Sequence, residues 1–273
     1  MDEQQLQDAI ASFTRPWSER RGIETIDRNA EVALVRTPID NLSNVLATRA
    51  IETRRDAIGS EIEILGAFAL AYQLVGQSWS IVVGAYFSEY GFQQVTHPNQ
   101  LAQFSRQLNQ PVIRLLVSDT AGSIGYDLFE NGELVEYFRG AEQSVIFELN
   151  EYEYGIQPEQ YTWFPSLEEI EEDGYASDEI KQVAYFWSSC RQVAQEQTNN
   201  IWDFVTQLLL DYDAFDPALD DRYFLKGSST LRRGDRYQVQ NPGITLVIGY
   251  DQERRRREVT SVPNLVRVDY FRF

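Results

Sequence analysis

Two lysines, one histidine and one cysteine among 273 residues remove several kinds of chemistry at the outset. With only Lys181 and Lys226 there is no Gly-Lys-Ser/Thr phosphate loop, and neither lysine sits in a context that suggests Schiff-base chemistry. The other 22 basic residues are arginines. Cys190 alone excludes an internal disulfide framework, and Cys190 with His97 cannot build a four-ligand structural zinc site. A Ser-His-Asp or Cys-His pair would have to use His97, which lies in VTHPNQLAQF just before a proline that opens a helix. A surface or capping role suits it better than that of a general base. No apolar run approaches the roughly 20 residues of a bilayer span. The acidic opening MDEQQLQDAI has the wrong chemistry for a secretory signal. The expectation is a cytoplasmic protein that needs no cofactor and has no membrane attachment.

What the chain has in quantity is apolar side chains and negative charge. Hydrophobic residues make up 43% of it, ample for a packed core. The net charge of −18 is unevenly spread: residues 165–221 hold 14 acids and 2 bases, whereas residues 222–273 hold 11 bases and 5 acids. Such a field repels nucleic-acid phosphate and attracts basic proteins. The run EEIEEDGYASDE is the densest acidic stretch, and Glu168, Glu169, Glu171, Glu172 and Asp173 are its candidate partner-binding residues. The opposing feature is DQERRRREVT, where Arg254, Arg255, Arg256 and Arg257 could grip an anion or pair with the acidic run of the same or a second copy. A homodimer is one possible result.

Periodicity predicts an α+β protein, with helices packed on one face of a mixed or mainly antiparallel sheet. The first lobe, residues 1–150, reads as βαββαβββ. A strand at Glu31–Arg36 precedes a helix with Thr37 as cap and Pro38 as first helical residue, ending near Glu52 to Asp56. Strands at Ile62–Leu74 and Trp79–Phe87 follow, then a helix entered at Thr96-His97-Pro98 with Leu101, Phe104 and Leu108 on its buried stripe. Residues 151–273 read as a tyrosine-rich connector, one or two helical turns at Ser166–Glu172, and helices at Ser177–Val193 and Ile201–Leu210. Short strands at Tyr237–Val239, Ile244–Tyr250 and Leu265–Phe271 close the chain. The connector carries too many aromatics for a free linker, so the two parts are expected to pack as one compact unit.

The segment from Pro111 to Arg139 holds the nearest thing to a chemical site. Asn131-Gly132 between alternating apolar runs is a strong two-residue hairpin signal. A regular ladder from that turn pairs Glu130 with Glu133, Leu128 with Val135, Asp127 with Glu136 and Tyr126 with Tyr137. Two like charges then stand opposite each other, which is unfavourable unless water, a cation or a proton relieves them. In that register Tyr126, Leu128, Val135 and Tyr137 face the core, leaving Asp127 and Glu136 in water. The alternative adds Asp119 from the SDTAG turn, giving Asp119, Asp127 and Glu136 as oxygen ligands for Mg²⁺ or Mn²⁺. Arg114 on the neighbouring strand is a third possibility, as a counter-charge.

The spacing of Asp211, Asp213, Asp216, Asp220 and Asp221 fails the calcium-loop test, because Phe215 occupies a ligand position. No catalytic residue is assigned. The leading expectation is a non-enzymatic binding or regulatory protein engaging a basic protein partner, as an adaptor, assembly factor or immunity-type protein does. The alternatives are a metal-assisted hydrolase using the clustered carboxylates and a small-molecule-binding module.

Overall fold

The computed structural model describes residues 30–85, 95–118, 123–142, 162–165, 182–188, 201–214, 235–239, 244–250, 256–262 and 265–273. Its strands are β1 (Ala30–Val35), β2 (Glu52–Arg54), β3 (Glu61–Glu63), β4 (Phe68–Leu74), β5 (Ser80–Ala85), β6 (Val112–Ser118) and β7 (Ser123–Glu130). They continue as β8 (Glu133–Glu142), β9 (Thr162–Pro165), β10 (Gln182–Ser188), β11 (Arg236–Val239), β12 (Ile244–Tyr250), β13 (Arg256–Val262) and β14 (Leu265–Arg272). The helices are α1 (Ile39–Ala47), α2 (Pro98–Leu108) and α3 (Ile201–Asp211). Ten strands form one sheet in the order β2-β14-β4-β5-β1-β6-β7-β8-β10-β9, and four form a second in the order β13-β12-β11-β3. Neighbours pair antiparallel in both sheets. The fold is α+β, as the alternation of sequence patterns implies.

Side chains on successive strand residues point to opposite faces, and the large sheet is covered on both. Strand β1 shows why its sequence is apolar from Val32 to Val35: Val32 and Leu34 join the core on one face, Ala33 and Val35 that on the other. Strand β4 divides its residues by size. Phe68, Leu70 and Tyr72 fill one face, while Ala69 and Ala71 lie beneath the helices on the other. Small residues on that side join Leu42 of α1 and Phe104 of α2 in the thinner core. The thicker core, on the far face, draws in Ile62 of β3, Tyr237 of β11 and Val205, Leu208 and Leu209 of α3. Residues from both halves of the chain therefore share it. Helix α3 lies on the face opposite α1 and α2; Trp79 donates its indole Nε1–H to the Tyr212 carbonyl at 3.1 Å just beyond α3.

Several boundaries differ from the sequence expectation, each for a non-local reason. Helix α1 ends at Ala47, and the stretch expected to extend it becomes β2, recruited to the sheet edge by the C-terminal strand β14. The Ile62–Leu74 run breaks at Leu65-Gly66 into β3 and β4, which belong to different sheets. Thr37 does not cap α1: the Ile39 N–H donates instead to Gln73 Oε1 of β4 at 3.2 Å, and the Thr37 hydroxyl accepts from Asn41 at 3.3 Å.

The largest correction concerns Ser177–Val193, where Gln182–Ser188 is a strand between β8 and β9 rather than part of a helix. Val-Ala-Tyr-Phe-Trp is rich in β-branched and aromatic residues, and a short apolar run of this kind satisfies both periods. The free edge of the long strand β8 decides the matter. Thr162–Pro165, expected as connector, is β9. The strands expected at 237–239, 244–250 and 265–271 are present, as is the helix at 201–210. The helical turns expected at Ser166–Glu172 lie outside the described residues, as do residues 1–13 and 144–149, whose patterns suggest a short helix and a strand.

His97 is the N-cap of α2, its Nδ1 accepting the Asn99 N–H at 3.2 Å. This is the capping role the sequence suggested for the only histidine. His97→Ala should lower stability by about 0.5–2 kcal/mol while His97→Asn restores most of it, as measured by urea unfolding.

Candidate functional site

Strands β6, β7 and β8 form the meander that the sequence marked out, but its second hairpin is not a regular ladder. Asn131 and Gly132 have φ of 53° and 86°, both left-handed, as a two-residue hairpin loop requires. Glu130 pairs with Glu133 and Phe129 with Leu134, and then the register shifts: Leu128 pairs with Glu136, Asp127 with Tyr137 and Tyr126 with Phe138. Val135 is the extra residue of a β-bulge. Every residue of β8 beyond it changes partner by one place relative to the regular ladder. Side chains that strict alternation would send to one face go to the other.

The bulge separates the two carboxylates. Asp127 and Glu136 are both buried, which corrects the expectation of a solvated pair, and they lie on opposite faces of the sheet. Glu136 is on the thicker-core side, where it accepts the hydrogen bond of the Tyr126 hydroxyl. Phe138 follows it there and stacks on Tyr126, with centroids 5.8 Å apart. Asp127 is on the helix side. Arg114 stands directly across from it on β6, with Nη1 3.0 Å from Oδ2, and Arg139 reaches it diagonally from β8, with Nη2 2.6 Å from Oδ1.

The physical reason for the bulge is visible in what a regular ladder would bury. It would set Glu136 against Asp127 on a dry face and turn Arg139 away. The shifted register replaces that repulsion with an ion pair. Arg139 also donates Nη1 to the carbonyls of Tyr126 and Phe138, each at 2.8 Å. Gly125 makes the room, since a Cβ there would lie 2.6 Å from the Phe138 carbonyl oxygen and 3.0 Å from Arg139 Cδ. From Arg114 the chain of charges runs outward to half-buried Glu31 of β1 at 3.1 Å, whose other oxygen accepts the Thr96 hydroxyl at 2.8 Å. Burial opposes ionisation of Asp127, but the guanidiniums of Arg139 and Arg114 outweigh it and hold the carboxyl below its ordinary value of 3.8. An anion so stabilised is a poor general base; its chemistry is that of a structural counter-ion.

A second cluster of the same kind was not signalled by the sequence. Asp269 of β14 is buried on the helix side, where its Oδ2 meets Arg267 at 2.8 Å and Arg55 at 3.3 Å and its Oδ1 accepts the Asp56 N–H at 2.8 Å. Arg267 continues to Asp40 in the first turn of α1 at 2.7 Å, and Arg55 to Asn44 at 3.0 Å. These residues lie up to 229 positions apart in the chain (Asp40 to Asp269), so only the placing of β14 between β2 and β4 reveals them.

The remaining candidates are placed as follows. Asp119 lies outside the described residues, and Asp127 and Glu136 stand on opposite faces of the sheet; among the described residues no group of three or more metal-ligating side chains occurs. Asp211 ends α3 and Asp213 follows with φ of 52°, a helix exit as read from sequence. Arg256 and Arg257 open β13, opposite Tyr250 and Ile248 of β12. Arg254, Arg255 and the acidic residues Glu168, Glu169, Glu171, Glu172 and Asp173 lie outside the described residues. Among those described, no helix is long and apolar enough to cross a membrane. In comparisons with known proteins, no family model matches the chain, and neither does any curated protein or solved structure.

Asp127→Asn should cost about 3–5 kcal/mol, because it strands two buried guanidiniums. The depressed carboxyl fixes the pH dependence. Its contribution is whole above the unfolded value near 3.8 and is lost as pH falls towards the lower folded value. Wild-type stability should therefore fall with pH below about 4 more steeply than that of Asp127→Asn, in urea melts across that range. Gly125→Ala should cost about 1–3 kcal/mol by crowding the Phe138 carbonyl oxygen and displacing Arg139. That cost should shrink in the Asp127→Asn background, and strict additivity would contradict the coupling.

Proposed function

We propose that this is a non-enzymatic acidic binding or regulatory protein that engages a basic protein partner, in the manner of an adaptor, assembly factor or immunity-type protein. The observation that carries the reading is where the arginines go. Arg114 and Arg139 are committed to Asp127, Arg55 and Arg267 to Asp269, Arg54 and Arg272 to Glu52, and Arg236 to Glu61 and Glu63. Cations tied up within the fold do not offset acids elsewhere, and residues 165–221 hold 14 acids against 2 bases. A protein with this balance presents a negative field that recruits cationic surfaces and repels phosphate backbones. The carboxylates nearest to a chemical site are engaged by arginine or tyrosine, which favours binding over hydrolysis. The cytoplasm is the compartment this reading assumes.

Affinity capture of the tagged protein from lysate of its source, washed at low and then high salt, tests the proposal. A stoichiometric basic protein that elutes with salt is expected. A variant with Glu168, Glu169, Glu171, Glu172 and Asp173 reversed to lysine should not retain it. Finding no partner at any salt, or a partner indifferent to both salt and charge reversal, would overturn the reading.

A further inference from the structure

The two faces of the large sheet are covered by layers of unequal strength. On the thicker side, large aromatic residues such as Tyr72, Trp79 and Phe138 interlock with a second sheet and α3. On the other, α1 and α2 are helices of nine and eleven residues, lengths that are marginal without tertiary support. Beneath them the sheet offers Ala33, Ala69 and Ala71 with Val35, Val82 and Val112, and two aromatic residues, Phe129 and Phe271. The two helices are joined to each other, since Arg49 just after α1 donates to Gln100 and Gln103 of α2.

Both helices also begin at a charge chain that leads to a buried aspartate. Asp40, in the first turn of α1, reaches Asp269 through Arg267. Thr96, just before the cap of α2, reaches Asp127 through Glu31 and Arg114. We propose that α1 and α2 form a layer that opens from the sheet as a unit of lower stability than the strands beneath it. These two tethers are among the bonds that hold it closed, beside those from the Ile39 N–H to Gln73, from Arg55 to Asn44 and from the Ser105 hydroxyl to the Phe129 carbonyl. Opening bares apolar residues of β1, β4, β5, β6, β7 and β14 while leaving the thicker core intact. Subglobal opening of this kind is expected where a short, lightly packed layer covers a strongly packed one.

Native-state hydrogen exchange on the full chain tests the proposal, using variants that cut a tether at its outer link without stranding a buried charge. Asp40 is 71% exposed in its side chain, so Asp40→Asn is mild. It should speed exchange of the amides of both helices by roughly two- to fivefold. Thr96→Val removes a hydrogen bond to a carboxylate and should speed exchange in both helices by about tenfold or more. Exchange in β1 and β5 should change much less in both variants. In the wild type, exchange from the helices should be nearly independent of low denaturant concentrations, whereas that from β1 and β5 follows global unfolding. The proposal fails if helices and strands share one denaturant dependence. It also fails if the substitutions speed both equally or leave the helices unchanged.

Discussion

An ionised aspartate sealed inside a sheet has to be met by positive charge, and the centre of this protein is arranged around that requirement. Asp127 lies on the dry helix side of β7, where an unpaired carboxylate is prohibitively costly. Strand β6 supplies Arg114 from directly opposite. Strand β8 can supply Arg139 only if it slips by one residue, and the bulge at Val135 is that slip. The slip has further effects: Phe138 turns inward to stack on Tyr126, Glu136 moves to the far face, and position 125 must be glycine. One electrostatic demand thereby sets the register of a ten-residue strand and the partner that β10 then finds along it.

The bulge also explains why the sequence was legible in outline and misleading at its most suggestive point. The Asn-Gly turn, the strands on either side and the buried stripe of α2 rest on local chemistry, and they stand where the periodicities put them. The opposition of Asp127 and Glu136 assumed an uninterrupted ladder, and strand alternation magnifies a single inserted residue into exchange of both faces. A clue was present: strict alternation sent Arg139 to the apolar side and Phe138 to the aspartate. Exchanging those two is what a one-residue bulge accomplishes. The Asp269 cluster had no such clue, because Arg55, Asp40 and Asp269 meet only once β14 is paired with β2 and β4. The misread strand at 182–188 belongs to the same class, since its identity depends on the open edge of β8.

Charge does two different things in this molecule. In the two buried clusters it is balanced, Arg114 and Arg139 against Asp127 and Glu31, and Arg55 and Arg267 against Asp269 and Asp40. Across the chain as a whole it is strongly unbalanced, and the excess is densest in residues 165–221. The first arrangement concerns how the sheet and its thinner cover hold together. The second concerns what the protein meets. Absence of resemblance to known families leaves these physical features to carry the functional reading, and they favour recognition through the field over chemistry at a carboxylate site.

The claim on which the rest depends is the register of one hairpin, and backbone NMR tests it most directly. Cross-strand proton contacts should place Tyr137 opposite Asp127 and Phe138 opposite Tyr126, with Val135 left out of the ladder. Contacts that place Glu136 opposite Asp127 would contradict it. The two carboxylates would then share a face, and the buried ion cluster with everything argued from it would have to be abandoned.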